Sequence, residues 1–426
     1  MRGIARLGVS WLPRGPRYAL YRDRIKCDFS PSEKLVLKLA ETREELEACF
    51  KLLHDAYVAV DFMKPDPSGM RITFYHALPT TSTLLASHNG RVVGTVSLIR
   101  ESLAGFPMQR IFNIDAIRDA GGNIAEVSAL AIDRRFQAKG GIILFPLMKF
   151  MYEYATKLFD TRHLVIAVNP RHIQFYESIL FFRRLKQNPV PHYDFVNGAP
   201  AVGAHLDLKR APKIFKMYYN RKALEKNLYR YFTDLRLPNI VFPDKRFYTT
   251  NDPVMTPELI DYFFNQRTPV FARLAPGDKL RLHLIYDLPA YVKYLPPLPA
   301  DVVLKEREMH RRRHRRFSVN CPGVLVLDRG PLGKRFAMKI IECSMLAFRA
   351  SSDDTLPLDA SGHVTIDLGE HEHCRMRARV VRKVTSAEHT FVLSLDRPDL
   401  AWRKFVKALH KASTHEELEE ASRFLE

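Results

Sequence analysis

Cysteine is scarce in this chain of 426 residues: Cys27, Cys49, Cys321, Cys343 and Cys374 are scattered, with neither the paired spacing of a zinc site nor the density of a disulfide scaffold. No disulfide framework and no metal are expected; buried thiols in a reducing cytoplasm are. No run of ~18 apolar residues occurs, so no membrane-spanning helix is expected. The first thirty residues carry seven Arg/Lys against two Asp, with Trp11, Leu12 and Tyr18 interspersed. They lack the continuous apolar core of a secretory signal. Residues 1–30 read as a basic flexible arm, able to touch an anionic membrane surface, and the protein as cytoplasmic with peripheral membrane association at most.

Acidic residues are outnumbered, and the net charge is +19. A field of that sign favours anionic partners, namely nucleic acid, anionic lipid, a nucleotide or an acidic carrier protein, although a merely solvated basic surface accounts for it equally. The length exceeds what one core serves, so two to three domains are expected.

Helix and strand periods then order the chain. Val36, Leu37 and Leu39 suit a strand. Thr42 to Tyr57 reads as a helix, opened by the capping-box spacing of Thr42 and Glu45 and repeating Leu46, Phe50, Leu53 and Tyr57. Asn89-Gly90 between Thr83–Ala86 and Val92–Ile99 is a strong hairpin signal. After a longer insertion, Phe106 to Gly122, comes the stretch that organises the rest. Glu126 precedes the apolar run Val127 to Ile132, a basic turn leads to Gln137, and Gly140-Gly141 opens an amphipathic helix to about Leu158. A helix entered through two glycines exposes backbone N–H groups able to hold a phosphate or a pantetheine amide; a helix start without a ligand fits the same residues.

Strand, Gln137-x-x-Gly140, then helix resembles the central motif of the GNAT acyltransferase superfamily, with Ile142 where a Gly or Ala is usual. More narrowly, Glu126-Val127-Ser128-Ala129-Leu130-Ala131 resembles the Glu-x-Ser-Arg-Leu stretch of acyl-homoserine-lactone synthases and the related N-acyl amino acid synthases, with Ala129 in place of the Arg. A strand, His163 to Val168, and the helix from Pro170 through Phe175 and Tyr176 resemble the second GNAT motif, with Leu180 for its Gly. The resemblance implies an N-acyltransferase. Glu126 would be the base, and Tyr176 the acid for the departing thiolate. Leu130, Ala131, Ile132, Gln137, Gly140 and Gly141 would hold the acyl-pantetheine donor, on acyl carrier protein or CoA, and an amino acid would supply the amine. As residues alone, Phe175 and Tyr176 read equally as core aromatics, and His172 as a structural hydrogen-bonder.

A strand over Val202 to Leu208 is followed by a basic, aromatic helix from Lys213 to Leu235, a second helix near Pro257 to Gln266, and Leu280 to Tyr286. The first helix reads as packing on the acyltransferase with its cations toward water or an acidic carrier, and no nucleic acid is expected. Tyr294-Leu295-Pro296-Pro297-Leu298-Pro299 reads as a stiff linker. Beyond it, Arg311 to Arg316 precedes short strands and a helix from about Pro398 to Ala412, the pattern of a small β-barrel.

Arg312-x-x-x-Arg316, with Arg311 and Arg315 equally spaced, and Glu342-x-Ser344-x-x-Ala347 resemble the PilZ domain, a cyclic di-GMP receptor. Two guanidinium forks clasp a bis-phosphate, and a carboxylate and a hydroxyl read a guanine edge. Glu replaces Asp and Ala replaces Gly, so a structural or docking barrel stays open beside the receptor. The expected class is α+β: a GNAT-like mixed sheet with flanking helices over residues 31–210 and a helical extension and linker over 211–300. A PilZ-like six-stranded barrel follows over 301–412, then a C-terminal helix over 413–426.

Overall fold

The computed structural model describes residues 11–102, 104–137, 141–243, 255–286, 289–298, 317–328, 335–369, 372–383 and 390–411. Contacts divide the chain into two units, the first comprising Met1–His76 and Thr81–Pro243 and the second Ala77–Thr80 with the chain from Asp244.

The first unit is a mixed sheet built from β1 (Leu35–Leu39), β2 (Thr81–His88), β3 (Arg91–Arg100), β4 (Asn123–Ile132), β5 (Thr161–Val168), β6 (Arg183–Arg184), β7 (Val190–Tyr193) and β8 (Ala199–Asp207), in the order β1-β2-β3-β4-β5-β8-β6 with β7 beside β8. The hairpin of β2 and β3 turns at Asn89 and Gly90, whose φ angles of +52° and +72° match the twist of paired strands. All neighbours are antiparallel except β4 and β5.

Helices α1 (Arg14–Asp23), α2 (Arg43–Val58), α3 (Asp115–Asp119), α4 (Arg134–Gln137), α5 (Leu144–Phe159), α6 (Pro170–Ser178), α7 (Ala211–Tyr219) and α8 (Leu228–Thr233) flank the sheet. The capping box of α2 forms as read, with Thr42 accepting from the Glu45 backbone N–H at 3.2 Å.

Two expectations change. The arm over residues 1–30 is helical from Arg14 to Asp23. The buried carboxylate of Glu177 on α6 is gripped by Arg14 at 2.7 Å, by Arg184 at 3.0 Å and by the Tyr18 hydroxyl at 2.9 Å. An acid taken from water needs that pairing, and it fixes α1 in place. The single helix expected from Lys213 to Leu235 breaks after Tyr219 and restarts at Leu228, where the buried Asn227 side chain accepts from the Arg230 N–H at 3.0 Å. Tyr219, Leu228 and Tyr231 are all fully buried. A straight helix of ~35 Å could not turn all three into one core.

The second unit holds α9 (Pro257–Asp261), continued by one π-helical turn to Gln266, α10 (Pro276–Ile285) and α11 (Pro289–Val292), where Tyr286 stacks on Tyr291 at 4.5 Å. It also holds a closed antiparallel barrel of β9 (Phe317–Leu327), β10 (Arg335–Cys343), β11 (Ala347–Ser351), β12 (Ser361–Gly369), β13 (Glu372–Lys383) and β14 (Thr390–Leu395), ordered β10-β11-β14-β13-β12-β9. Helix α12 (Leu400–Lys411) seats Trp402 on Phe348 at 6.1 Å, and the indole N–H donates to the Met345 carbonyl at 3.2 Å. The α+β class holds: a mixed sheet with flanking helices and a six-stranded barrel. Residues 412–426, including the expected C-terminal helix, lie outside the described residues. All five cysteines are buried, and none of them forms a disulfide. Among the described residues no helix is long and apolar enough to cross a membrane.

Candidate active site

Strand β4 carries the site because its two edges are treated differently. It pairs with β3 along almost its whole length, but with β5 only from Asn123 to Glu126, where Glu126 faces Val165. From Val127 to Ile132 the β5-facing edge has no strand partner among the described residues, which opens it to an extended ligand. On the β3 side, Thr95 faces Ala131 while Ser97 faces Ser128. Ala129 and Leu130 thus share one partner, and Ala129 takes a left-handed φ of +53°. That bulge puts Leu130 on the same face as Val127, against strict alternation.

Both side chains line an apolar cleft of about 770 Å³, its mouth included. Met148, Met151 and Tyr152 of α5 form one wall, Leu164 and Ile166 of β5 another, and Phe215 and Phe232 close it from α7 and α8. Tyr176 lines it from α6. The lining is almost wholly apolar, as an acyl chain requires. Tyr176 is buried, which pushes its hydroxyl pKa up and keeps its proton on.

Glu126 is 2% exposed and is absent from the cleft's lining. It sits one residue before Val127, on the opposite face of β4, where its Oε2 accepts from the Met108 backbone N–H at 3.1 Å. Burial raises its pKa to about 8, against a smaller opposing effect of that hydrogen bond. The carboxyl therefore holds its proton near neutrality and titrates in the range where a general base is effective.

The remaining donor-site expectations separate. Leu130 faces the cleft, while Ala131 and Ile132 sit in register with Thr95 and Gly94 of β3. Gln137 is exposed on α4, and its Nε2 donates back to the Ile132 carbonyl at 2.8 Å. Gly141 turns with φ of +87°, and a Cβ there would lie 2.7 Å from the Phe145 ring. Close packing of Phe145 thus requires glycine at 141. Helix α5 begins three residues later, at Leu144. Gly140 lies outside the described residues.

Three further groups form a chain of neighbours leading to Glu126. Tyr193 of β7 is within electrostatic reach of Glu126 and of Tyr57 at the end of α2, and Tyr57 in turn reaches Tyr176. Arg71, buried, lies over the Tyr57 ring at 4.2 Å. These residues come from segments far apart in sequence, so only Tyr57 was legible, and then as part of a helix face.

In the barrel, Arg312 and Arg316 lie outside the described residues. Glu342 follows a bulge in β10 and sits 3.7 Å from Arg349. The Ser344 hydroxyl donates to the Ala347 carbonyl at 2.9 Å, closing the turn into β11.

Residues 48–207 match the family described as N-acyl amino acid synthase FeeM. This region is an acyltransferase domain. Among solved structures, the acyltransferase's sheet is similar to that of the N-acyl amino acid synthase FeeM from uncultured soil microbes, at 24% identity over 42% of this chain and 93% of that one, with a TM-score of 0.36. A CoA-dependent acyl-homoserine lactone synthase, BjaI, is 18% identical over 50% of this chain and 95% of its own, with a TM-score of 0.35. The acyl-homoserine lactone synthase LasI is 18% identical over 41% and 90%, with a TM-score of 0.31. No curated protein sequence matches the chain.

Proposed function

We propose that the protein transfers a fatty acyl group from the pantetheine thioester of an acyl carrier protein to the amine of an amino acid. The observation that carries this reading is the apolar cleft lined by Val127 and Leu130 of β4, in the stretch that β5 does not pair, next in sequence to the buried carboxyl group of Glu126. The acyl chain occupies the cleft, and the thioester carbonyl lies along Leu130 to Ile132, where a backbone N–H polarises it. Ionised Glu126 takes a proton from the acceptor's ammonium group. The freed amine attacks the carbonyl carbon, the C–N bond forms, and the C–S bond breaks. Tyr176, holding its proton, donates to the departing sulfur, and the second proton of the attacking nitrogen passes to the resulting phenolate as the amide forms.

A carrier protein is favoured over free CoA by Ile142, in the position where a smaller residue would widen a phosphate cradle; the net charge of +19 steers either anionic donor. The test incubates the purified full chain with acylated carrier protein or with acyl-CoA, plus amino acids, and reads N-acyl products by mass spectrometry. Product from the carrier and little from CoA is expected; product from CoA alone would reverse the donor assignment, and none from either would sink the enzyme reading.

For the barrel, cyclic di-GMP is the proposed regulator. Glu342 and Ser344 stand together where β10 turns into β11, and Arg312 and Arg316 would supply the phosphate forks. Calorimetry with cyclic di-GMP on the wild type and on Arg316→Ala should give heat only in the former. No heat in either makes the barrel structural.

A further inference from the structure

Arg71 is 8% exposed. Its guanidinium lies 4.2 Å from the centre of the Tyr57 ring and 5.2 Å from that of Phe195. One nitrogen donates to the Phe195 carbonyl at 2.7 Å, the other terminal nitrogen contacts the Met63 sulfur at 3.9 Å, and the Tyr57 hydroxyl is a further hydrogen-bonding neighbour. Tyr57 and Tyr193 are the groups that favour its charge. None of these partners is an anion, and among the described residues no carboxylate pairs with it. A buried guanidinium without a counter-charge is costly, and its planar fork is shaped for a carboxylate.

A second group nearby is equally unfinished. Tyr193 is 3% exposed and its hydroxyl has no hydrogen-bond partner. Its ring stacks on Phe195 at 5.7 Å, on whose other contacts Arg71 rests. Tyr193 is within electrostatic reach of both Arg71 and Glu126, so it spans the interval between the unpaired cation and the proposed base. His76, also beside Arg71, is held neutral, its pKa brought down to about 3 by burial and then by that guanidinium. Arg71 is therefore the buried cation of this corner, while the exposed Arg110 also reaches Tyr193.

Resting on the acyl-transfer reading, we infer that Arg71 and the Tyr193 hydroxyl form the subsite for the acceptor's carboxylate, so that the acceptor is a zwitterion with its amine directed to Glu126. Tyr57, Met63 and Phe195, each only partly buried, cover the subsite, and the weak Met63 contact is the one an arriving carboxylate replaces. The guanidinium then forms two parallel N–H to oxygen bonds, the pairing that carboxylate recognition uses. An amide or simple amine leaves the cation unpaired, and a site built to bind a polar group rejects ligands that lack it.

The experiment uses the full chain, an acylated carrier protein, and a panel of free amino acids with their carboxamides. The best amino acid should exceed its carboxamide by about 10²-fold or more in kcat/KM. Arg71→Lys, which keeps a cation in place, should raise KM for that amino acid by about 10-fold or more while kcat changes by less than about 3-fold. If acid and amide are acylated alike, or Arg71→Lys leaves KM unchanged, the subsite is wrong while acyl transfer stands. If no acceptor is acylated at all, transfer itself fails. Calorimetry of the same amino acids and carboxamides on the wild-type chain then decides the subsite separately: heat for the acid alone supports it, and heat for both or for neither overturns it.

Discussion

Glu126 Oε2 and the backbone nitrogen of Met108 are 3.1 Å apart, a single hydrogen bond between β4 and the segment that crosses in front of it. One neutral-strength donor is far too little to keep a fully buried carboxylate ionised, so the acid is protonated at rest.

Activity should therefore rise with pH through about 8, the value at which Glu126 loses its proton in the fold. Glu126→Gln should lower turnover by about 10²-fold or more and flatten that rising limb, with acyl-donor binding kept. Steady-state rates across pH 6 to 10 check it, and an unchanged profile removes Glu126 from the mechanism.

The same group makes stability pH-dependent. Folded, it holds its proton to about pH 8, whereas its ordinary value is 4.5. Between those values the native state binds more protons than the unfolded chain, so the stabilisation present below pH 4.5 is lost as pH rises toward 8. Glu126→Gln carries no such dependence. Its thermal midpoint should exceed that of the wild type by roughly 4 °C or more at pH 8 and match it near pH 4.

Met151 lines the cleft from α5 and is 4% exposed. Met151→Trp fills acyl space, so the N-acyl products should shift toward shorter chains. Lipid mass spectrometry reads the distribution, and an unaltered one would mean that the acyl chain lies elsewhere.

Gly203 on β8 packs under Phe112, where an added Cβ would lie 2.8 Å from the ring's Cγ. Phe112 is 2% exposed and has no room to retreat. Gly203→Ala should cost about 2 kcal/mol in denaturant unfolding.

In the barrel, Trp402 is fully buried against Phe348 and Phe405. Trp402→Ala should remove about 3–5 kcal/mol from the second unit's stability, seen as an earlier transition in calorimetry with acyl transfer unchanged.

Local sequence alone determined much of this protein. Thr42 with Glu45, Asn89-Gly90 and the apolar run after Glu126 each act through neighbours a few residues away, so the helix start, the hairpin and the central strand could be read directly. Alternation likewise announced most barrel strands, though Ala347–Ser351 was too short to stand out. Tertiary structure decided the rest. The register of β4 against β5, which ends at Glu126, depends on pairing across a long crossover, and the bulge at Ala129 on a mismatch with β3. The ordering of α1 depends on a carboxylate at Glu177, far along the chain. The nearness of Tyr193 to Arg71 on one side and to Glu126 on the other depends on long-range packing that juxtaposes distant segments, and no periodicity in a single sequence encodes it.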